Sequence, residues 1–174
     1  GIVHALDITW ADAGTDWGTG SNWQGAAAPG TTDTAILPND ASIANQPNVA
    51  TTETVQGASI DNSSDDYAVS GTGELGVGNV GLSVSGGGVT TFTPYLNPQA
   101  AMSVDVGAGT QLTLDGNFNV TSTGNTVTKT GDGTLQVNGA LIHGGTQRQA
   151  FTATAGTVNW NAPQNNSARP SIYA

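Results

Sequence analysis

The sequence predicts an all-β chain wound as a parallel β-helix, a β-solenoid. Three observations carry that expectation: a polar, uncharged, glycine-rich composition, a recurring glycine corner, and short runs of alternating apolar residues between the corners. Glycine occurs 25 times in 174 residues, about twice its usual share, while charged residues make up 9%. Thr, Ser and Asn fill much of the remainder. The only dense alanine stretch, "GAAAPG", is broken by Pro29 and flanked by glycines, so little or no helix is expected.

The corner is clearest in "KTGDGTLQVNGAL", Lys129 to Leu141, where two glycines two apart precede Leu135 and Val137 on alternate positions and a third glycine closes the run. "GTGELGVG" from Gly71 and "GAGTQLTLDG" from Gly107 repeat the pattern, and "ATAGTVNWN" from Ala153 is a degenerate copy. Taking Gly73, Gly109, Gly133 and Gly156 as markers gives intervals of 36, 24 and 23 residues. The last two suit one coil of a solenoid. The first predicts an insertion at "GGGVTTFTPYLNPQ", where Pro94 and Pro98 are excluded from a central ladder because proline has no amide hydrogen.

Between the corners, "GLSVSG", "MSVDVG" and "NFNVTS" each carry apolar residues on every second position, as short strands with one buried face do. Stacked in parallel, they would bury Leu, Val, Ile and Phe in one column and pair their backbones with neighbouring coils. Antiparallel hairpins joined by the same turns look locally identical, so a β-sandwich is the alternative, although hairpin arrays have no longer period.

Residues 1–50 read differently from residues 51–174. The first part holds Trp10, Trp17 and Trp23 and lacks the glycine marker. A solenoid needs its open end covered, and these aromatics predict an N-terminal cap. The second part reads as coils followed by a C-terminal tail, the whole forming one structural domain.

Formal net charge is −10, with 13 acidic residues against Lys129, Arg148 and Arg169 alone. Nucleic-acid binding needs clustered cations to release counterions from phosphate, and is therefore excluded as a function class. The same balance argues against anionic membrane surfaces, and no apolar run is long enough to insert as a helix. Cysteine is absent, which excludes disulfides and thiolate metal centres. The start at Gly1, with "IVHA" ending on a small residue, suits a processed secreted chain, and a trimmed chain would look the same.

The order of Trp10, Trp17, Asn22-Trp23, Pro29 and Asp33 before "TAILP", then "TVQGASIDN" and repeated glycine-x-glycine-Thr-Leu units, resembles the autotransporter-associated β-strand repeat proteins of bacteria. The resemblance spans about Leu6 to Trp160. It implies a secreted or surface-displayed right-handed β-helix used as a stalk, adhesin passenger or surface-layer element, and it supplies no catalytic residue. No translocator barrel accompanies the repeats, and they are few. The chain is then either a fragment of a longer passenger or a short subunit that gains length by assembly.

The residues offer four kinds of chemistry. Asp61, Asp65 and Asp66 in "DNSSDD" gather hard oxygen ligands that suit calcium, though the spacing matches neither an EF-hand nor a calcium-binding β-roll, and a solvated acidic loop is the favoured reading. Asp12 and Asp16 form a weaker pair, and His4 and His143 are too few for zinc. Otherwise no cofactor is expected. Catalysis would draw on Asp105 or Asp115 with one of the three cations, but Asp105 alternates with Val104 and Val106 and should face solvent. Asp115 adjoins the corner Gly116, and no serine sits in a nucleophile elbow, so no enzyme is expected.

Carbohydrate stacking would use the four tryptophans with Tyr67, Tyr95 and Tyr173, against which stands their use as core filling. Triplets at Asn62, Asn119 and Asn165 fit the glycosylation pattern by composition alone. The fourth, assembly, is the expected function: a structural subunit of an extracellular filament or surface layer whose partner is a copy of itself. Its contact residues would be Ile2, Val3, Leu6 and Ile8 in the apolar N-terminal strand, with Ile172 and Tyr173 in the tail as the reciprocal element. Pairing of both termini within one chain is the competing arrangement. An adhesin fragment that binds glycans or surfaces is the alternative function.

Overall fold

A computed structural model describes residues 5–120, 125–143, 150–162 and 171–173. The chain is a β-solenoid of about six turns, half strand and 2% helical. Its strands in order are β1 (Asp7–Thr9), β2 (Thr34–Leu37), β3 (Glu53–Asp61), β4 (Tyr67–Val69), β5 (Glu74–Ser85), β6 (Val89–Phe92), β7 (Tyr95–Pro98) and β8 (Met102–Val106). They continue as β9 (Gln111–Leu114), β10 (Phe118–Val120), β11 (Val127–Thr130), β12 (Thr134–Val137), β13 (Leu141–His143), β14 (Ala150–Ala153), β15 (Thr157–Trp160) and β16 (Ser171–Tyr173). One 3₁₀ turn, Gly20–Asn22, interrupts them.

The strands stack on three faces. The first face runs β1-β2-β3-β5-β8-β11-β14-β16 and the second runs β4-β6-β9-β12-β15. The third branches from β5 through β7 and β10 to β13. Strands β3 and β5 are long because each turns a corner: Glu74 to Val77 pair with β7, whereas Leu82 to Val84 pair with β8. Pairing between strands is parallel throughout, so the antiparallel sandwich is excluded. A parallel pair cannot be closed by a hairpin; each strand must travel once around the coil before meeting its neighbour.

The alternation read from the sequence sets the core. On the first face Ile8, Ala35, Ala58, Leu82 and Val104 share one inward column, and on the second Leu112 and Leu135 stack in register. Leu75, Leu96, Phe118 and Leu141 make the column on the third face. These side chains are essentially inaccessible and belong to one continuous cluster from Ile8 to Phe151. Between them run mostly outward polar residues, as in β8 with Ser103 and Asp105 between buried Met102, Val104 and Val106. Asp105 thus faces outward as its parity requires.

The glycine markers need one correction. On the second face Gln111, Thr134 and Thr157 lie side by side, so Gly133 and Gly156 hold equivalent places, while Gly109 is one residue out of step. A side chain on Gly133 would collide with the Gly107 carbonyl, and one on Gly156 with that of Gly133, which explains why the corner admits no Cβ. Gly73 belongs to a different corner, the one leading into β5, where its carbonyl accepts from the Tyr95 amide at 3.0 Å. The 36-residue interval therefore joins two unlike corners. The segment expected as an insertion is itself coil: it contains β6 and β7, which pair with β4, β9, β5 and β10. Pro98 is accommodated as the last residue of β7, beside Val77, and the Gln99 amide resumes the ladder at the Val77 carbonyl.

Candidate functional site at the ends of the solenoid

Inside a solenoid each strand is paired on both edges, and at each end a strand keeps one edge unpaired. At the N-terminal end the outermost strand of the first face is β1. The Thr34 amide donates to the Leu6 carbonyl and the Trp10 amide to the Ile36 carbonyl, both at 2.8 Å, so residues 6, 8 and 10 present their backbone to β2. By alternation the amides of Asp7 and Thr9 point the opposite way, outward. From Thr9 onward this outer edge is partly covered: the Gln24 amide donates to the Thr9 carbonyl and the Ala11 amide to the Asn22 carbonyl, with an antiparallel bridge between Trp10 and Trp23. Ahead of that cover no described residue pairs with the edge, and Leu6 is 57% exposed. Ile8 is buried in the core, and Ile2 and Val3 lie outside the described residues, as does His4.

Trp10, Trp17 and Trp23 are buried beside this strand. Trp23 meets the other two edge to face with ring centroids 4.9 Å apart, the geometry favoured by opposed ring quadrupoles. Its indole donates to the Trp17 carbonyl at 2.7 Å, and that of Trp10 to the Asn45 carbonyl at 3.1 Å. The loop carrying Asn45 is held by Asp12, whose two carboxylate oxygens accept from the Ala44 and Asn45 amides. Asp12 sits at φ 53°, a left-handed conformation that costs a non-glycine residue about 1 kcal/mol or more, and the Asn45 side chain returns a bond to the Asp12 carbonyl. Asp16 accepts from the Thr19 hydroxyl. Both carboxylates of the weaker metal pair are therefore committed to local bonds.

On the second face the outermost strand is β4; just past it Ser70 bridges Asn48, which bridges Asp16, and at Ala68 the edge is filled by a side chain. The Ala68 amide donates to Gln46 Oε1 at 3.0 Å, and Gln46 Nε2 donates to the Asp66 carbonyl at 3.1 Å. One carboxamide thus substitutes for a peptide unit of a missing strand. Beneath it Tyr67 is buried and donates its hydroxyl to the Pro38 carbonyl at 2.6 Å. Burial, then the charges of Asp40, Asp12, Asp61 and Asp65, push its pKa well above the usual tyrosine range.

At the other end the outermost described strands of the first and second faces are β16 and β15. β16 pairs with β14 through Ser171, Ile172 and Tyr173, opposite Ala150, Phe151 and Thr152. Both terminal segments therefore pair within the chain along one edge, and the first face has β1 and β16 as its two outer strands. β15 leaves its inward residues Val158 and Trp160 only partly buried, whereas Leu135 and Val137, one coil earlier, are fully covered. A side-chain ladder follows the same corner, with Asn161 donating to Asn138 at 3.0 Å and Asn138 to Asp115 at 2.7 Å.

The remaining candidates are not gathered into a site. Asp61 caps Ser63, Asp65 accepts from the Asp66 amide, and Asp66 accepts from the Val89 amide at 2.6 Å. Asp65 and Asp66 border an open polar hollow of about 330 Å³, but no group of three His, Cys, Asp or Glu able to hold a metal occurs among the described residues. Asp105 takes a bond from the Thr130 hydroxyl on the first face, and Asp115 lies at the corner after β9, so the two carboxylates are not a pair. Among the aromatics weighed for sugar stacking, Trp10, Trp17, Trp23 and Tyr67 are buried, while Tyr95 is 43% exposed. Arg148, Arg169 and Asn165 lie outside the described residues.

Sequence reasoning counted Lys129 among the cations but missed its burial. It occupies the inward column of the first face, opposite Val104 on one side and Ala153 on the other, and is 0% exposed. Its ammonium donates to the carbonyls of Thr130 and Gly131 at 2.6 Å and of Ala155 at 3.2 Å. Burial pushes its pKa below the usual lysine range, and Asp105 and Asp132 pull it back up. The signal was parity: Lys129 follows Val127 by two, on the buried side of "VTKT". No protein-family model, no curated protein and no solved structure matches the chain.

Proposed function

We propose that the chain is a structural subunit of an extracellular filament or surface layer, built by stacking solenoids end to end. One observation carries this reading: the first face is a single run of parallel strands whose two outer members, β1 and β16, lie at opposite ends. Adding β1 of one copy to β16 of another would extend the face by the same parallel pairing used inside the chain, a heterologous contact that repeats without closing. The tryptophan cluster, with Asn22 to Gln24 and Gln46, serves as a partial N-terminal cap that, among the described residues, leaves the beginning of β1 without a partner. No catalytic role, bound metal or second kind of macromolecule is required. Secretion and kinship with the autotransporter-associated repeat proteins belong to this same proposal, supported by the composition and the repeated corner.

The test is Asp7→Pro. The Asp7 amide points away from β2, so the substitution removes a donor from the outer edge without breaking an internal bond. Light scattering should show concentration-dependent growth for the parent chain and none for the variant, with matching circular dichroism. A parent that stays monomeric at high concentration would overturn the reading. The alternative, an adhesin that binds glycans, draws support from Tyr95, exposed beside the Glu74 carboxylate that Asn97 contacts at 2.7 Å. Glycan binding abolished by Tyr95→Ala would favour it.

A further inference from the structure

Charge is distributed along the chain far from evenly. Ten of the 13 acidic residues fall within the first 74 positions, where there is no Lys or Arg, and no acidic residue follows Asp132. In a globular fold such a gradient would be scrambled in space. In a solenoid sequence position becomes axial position, because each coil of some two dozen residues lies on the previous one: Asp7 beside Thr34, Thr34 beside Gly57, and so on to Thr152 beside Tyr173. The gradient is therefore an electrical polarity of the particle. One end carries Asp7, Asp12, Asp16, Asp33 and Asp40, and the last coils carry no carboxylate side chain. Of the three cations, Lys129 is enclosed in the core and the other two, Arg148 and Arg169, follow it in the chain.

We infer that the acid-free C-terminal end is an interaction surface for the acidic N-terminal end of a second copy, so that charge sets the direction of assembly. This rests on the end-to-end reading above and adds the polarity and its cause. Two N-terminal ends repel each other, whereas an N-terminal end meeting a C-terminal end brings a strongly negative surface against one lacking negative side chains. The half-covered Val158 and Trp160 supply apolar area on the receiving side, and β16 supplies the strand edge. Continuing the internal register places Asp7 of the incoming copy beside Tyr173. Cα atoms of laterally paired strands lie about 5 Å apart, within the span of a disulfide.

The native chain contains no cysteine, so single cysteines report the geometry cleanly. Asp7→Cys and Tyr173→Cys chains are mixed in equal amounts under mild oxidation. The mixed disulfide should exceed each like-with-like disulfide about fivefold or more, and equal or greater like-with-like linkage would overturn the direction. Growth of the parent chain should quicken about threefold or more when salt is raised from about 0.02 to 0.5 M, because screening weakens the repulsion between copies that each carry a net charge of −10. Placing acids on the receiving end, with the exposed Thr157→Glu and Asn159→Glu together, should suppress growth at low salt and spare it at high salt. That recovery separates repulsion from misfolding, and growth indifferent to both salt and these substitutions would overturn the electrostatic cause. A parent chain that never assembles removes the end-to-end reading itself, and the inference with it; assembly with like-with-like links removes the inference alone.

Discussion

Replacing Lys129 by Met keeps the volume of the side chain and removes its ammonium, which isolates what that charge does inside the core. Three main-chain carbonyls, those of Thr130, Gly131 and Ala155, lose their donor. A buried acceptor left without a partner costs about 1–3 kcal/mol, so the gross loss is about 3–9 kcal/mol. Against it stands the desolvation of the ammonium, worth several kcal/mol, which the variant no longer bears. We expect Lys129→Met to destabilise the chain by about 2–4 kcal/mol, because the ammonium ties the corner after β11 to the corner before β15. Urea denaturation followed by tryptophan fluorescence measures this directly, as a lower midpoint at unchanged slope.

The pH dependence has a definite sign. The folded pKa of Lys129 lies below that of the unfolded chain, so over the interval between them the unfolded state binds more protons and stability rises with pH. The burial penalty is complete below the folded pKa and has lifted by about pH 10.4. The gap between parent and variant should therefore widen over that interval, provided the neutral amine keeps its remaining donors on the carbonyls. A Met variant as stable as the parent, with no pH-dependent difference, would refute the claim that the caged ammonium secures the corners.

Tyr67 acts in the opposite direction, since its folded pKa is raised and stability is lost as pH climbs above the unfolded value of about 10. Tyr67→Phe should cost about 1 kcal/mol near neutrality for the bond to Pro38, and the parent should then lose about 1.4 kcal/mol per pH unit relative to the variant above pH 10, as read from urea midpoints. Leu135→Ala, at a fully buried position between Leu112 and Val158, should cost about 2–5 kcal/mol by the same measurement. Asp7→Pro should leave the urea midpoint within about 0.5 kcal/mol of the parent while abolishing growth in light scattering, because it touches only the outer edge of β1.

Much of this fold was legible because period-two alternation and corner glycines act locally. "TLQV" and "MSVDV" point their apolar residues inward wherever their coils sit, and Gly133 and Gly156 are required by the carbonyl of the coil before them. What was hidden depends on stacking. Gly73 carries the same local spelling as Gly109, yet a different corner, and only the register of β5 against β7 separates them. "GGGVTTFTPYLNPQ" reads as an insertion because of the 36-residue interval and its prolines, but Pro98 ends its strand and Pro94 lies between strands. The role of Gln46 as a substitute strand edge arises from partners 20 or more residues away, which no local pattern encodes, and the parity that places Lys129 inward is overridden in reading by its charge. At the ends, sequence located the apolar strand at Leu6 and Ile8 and the tail at Ile172 and Tyr173. It did not reveal that these segments are the two outer strands of one face.

The central claim is that copies continue one another's coils, and the axial repeat of the fibre tests it most directly. Eight strands stack along the first face, and at about 4.8 Å per strand each copy advances the fibre by about 38 Å. Electron microscopy of assembled fibres should give that axial repeat, together with a 4.8 Å spacing along the axis. A repeat far from this value, or strands running parallel to the axis, would contradict end-to-end stacking.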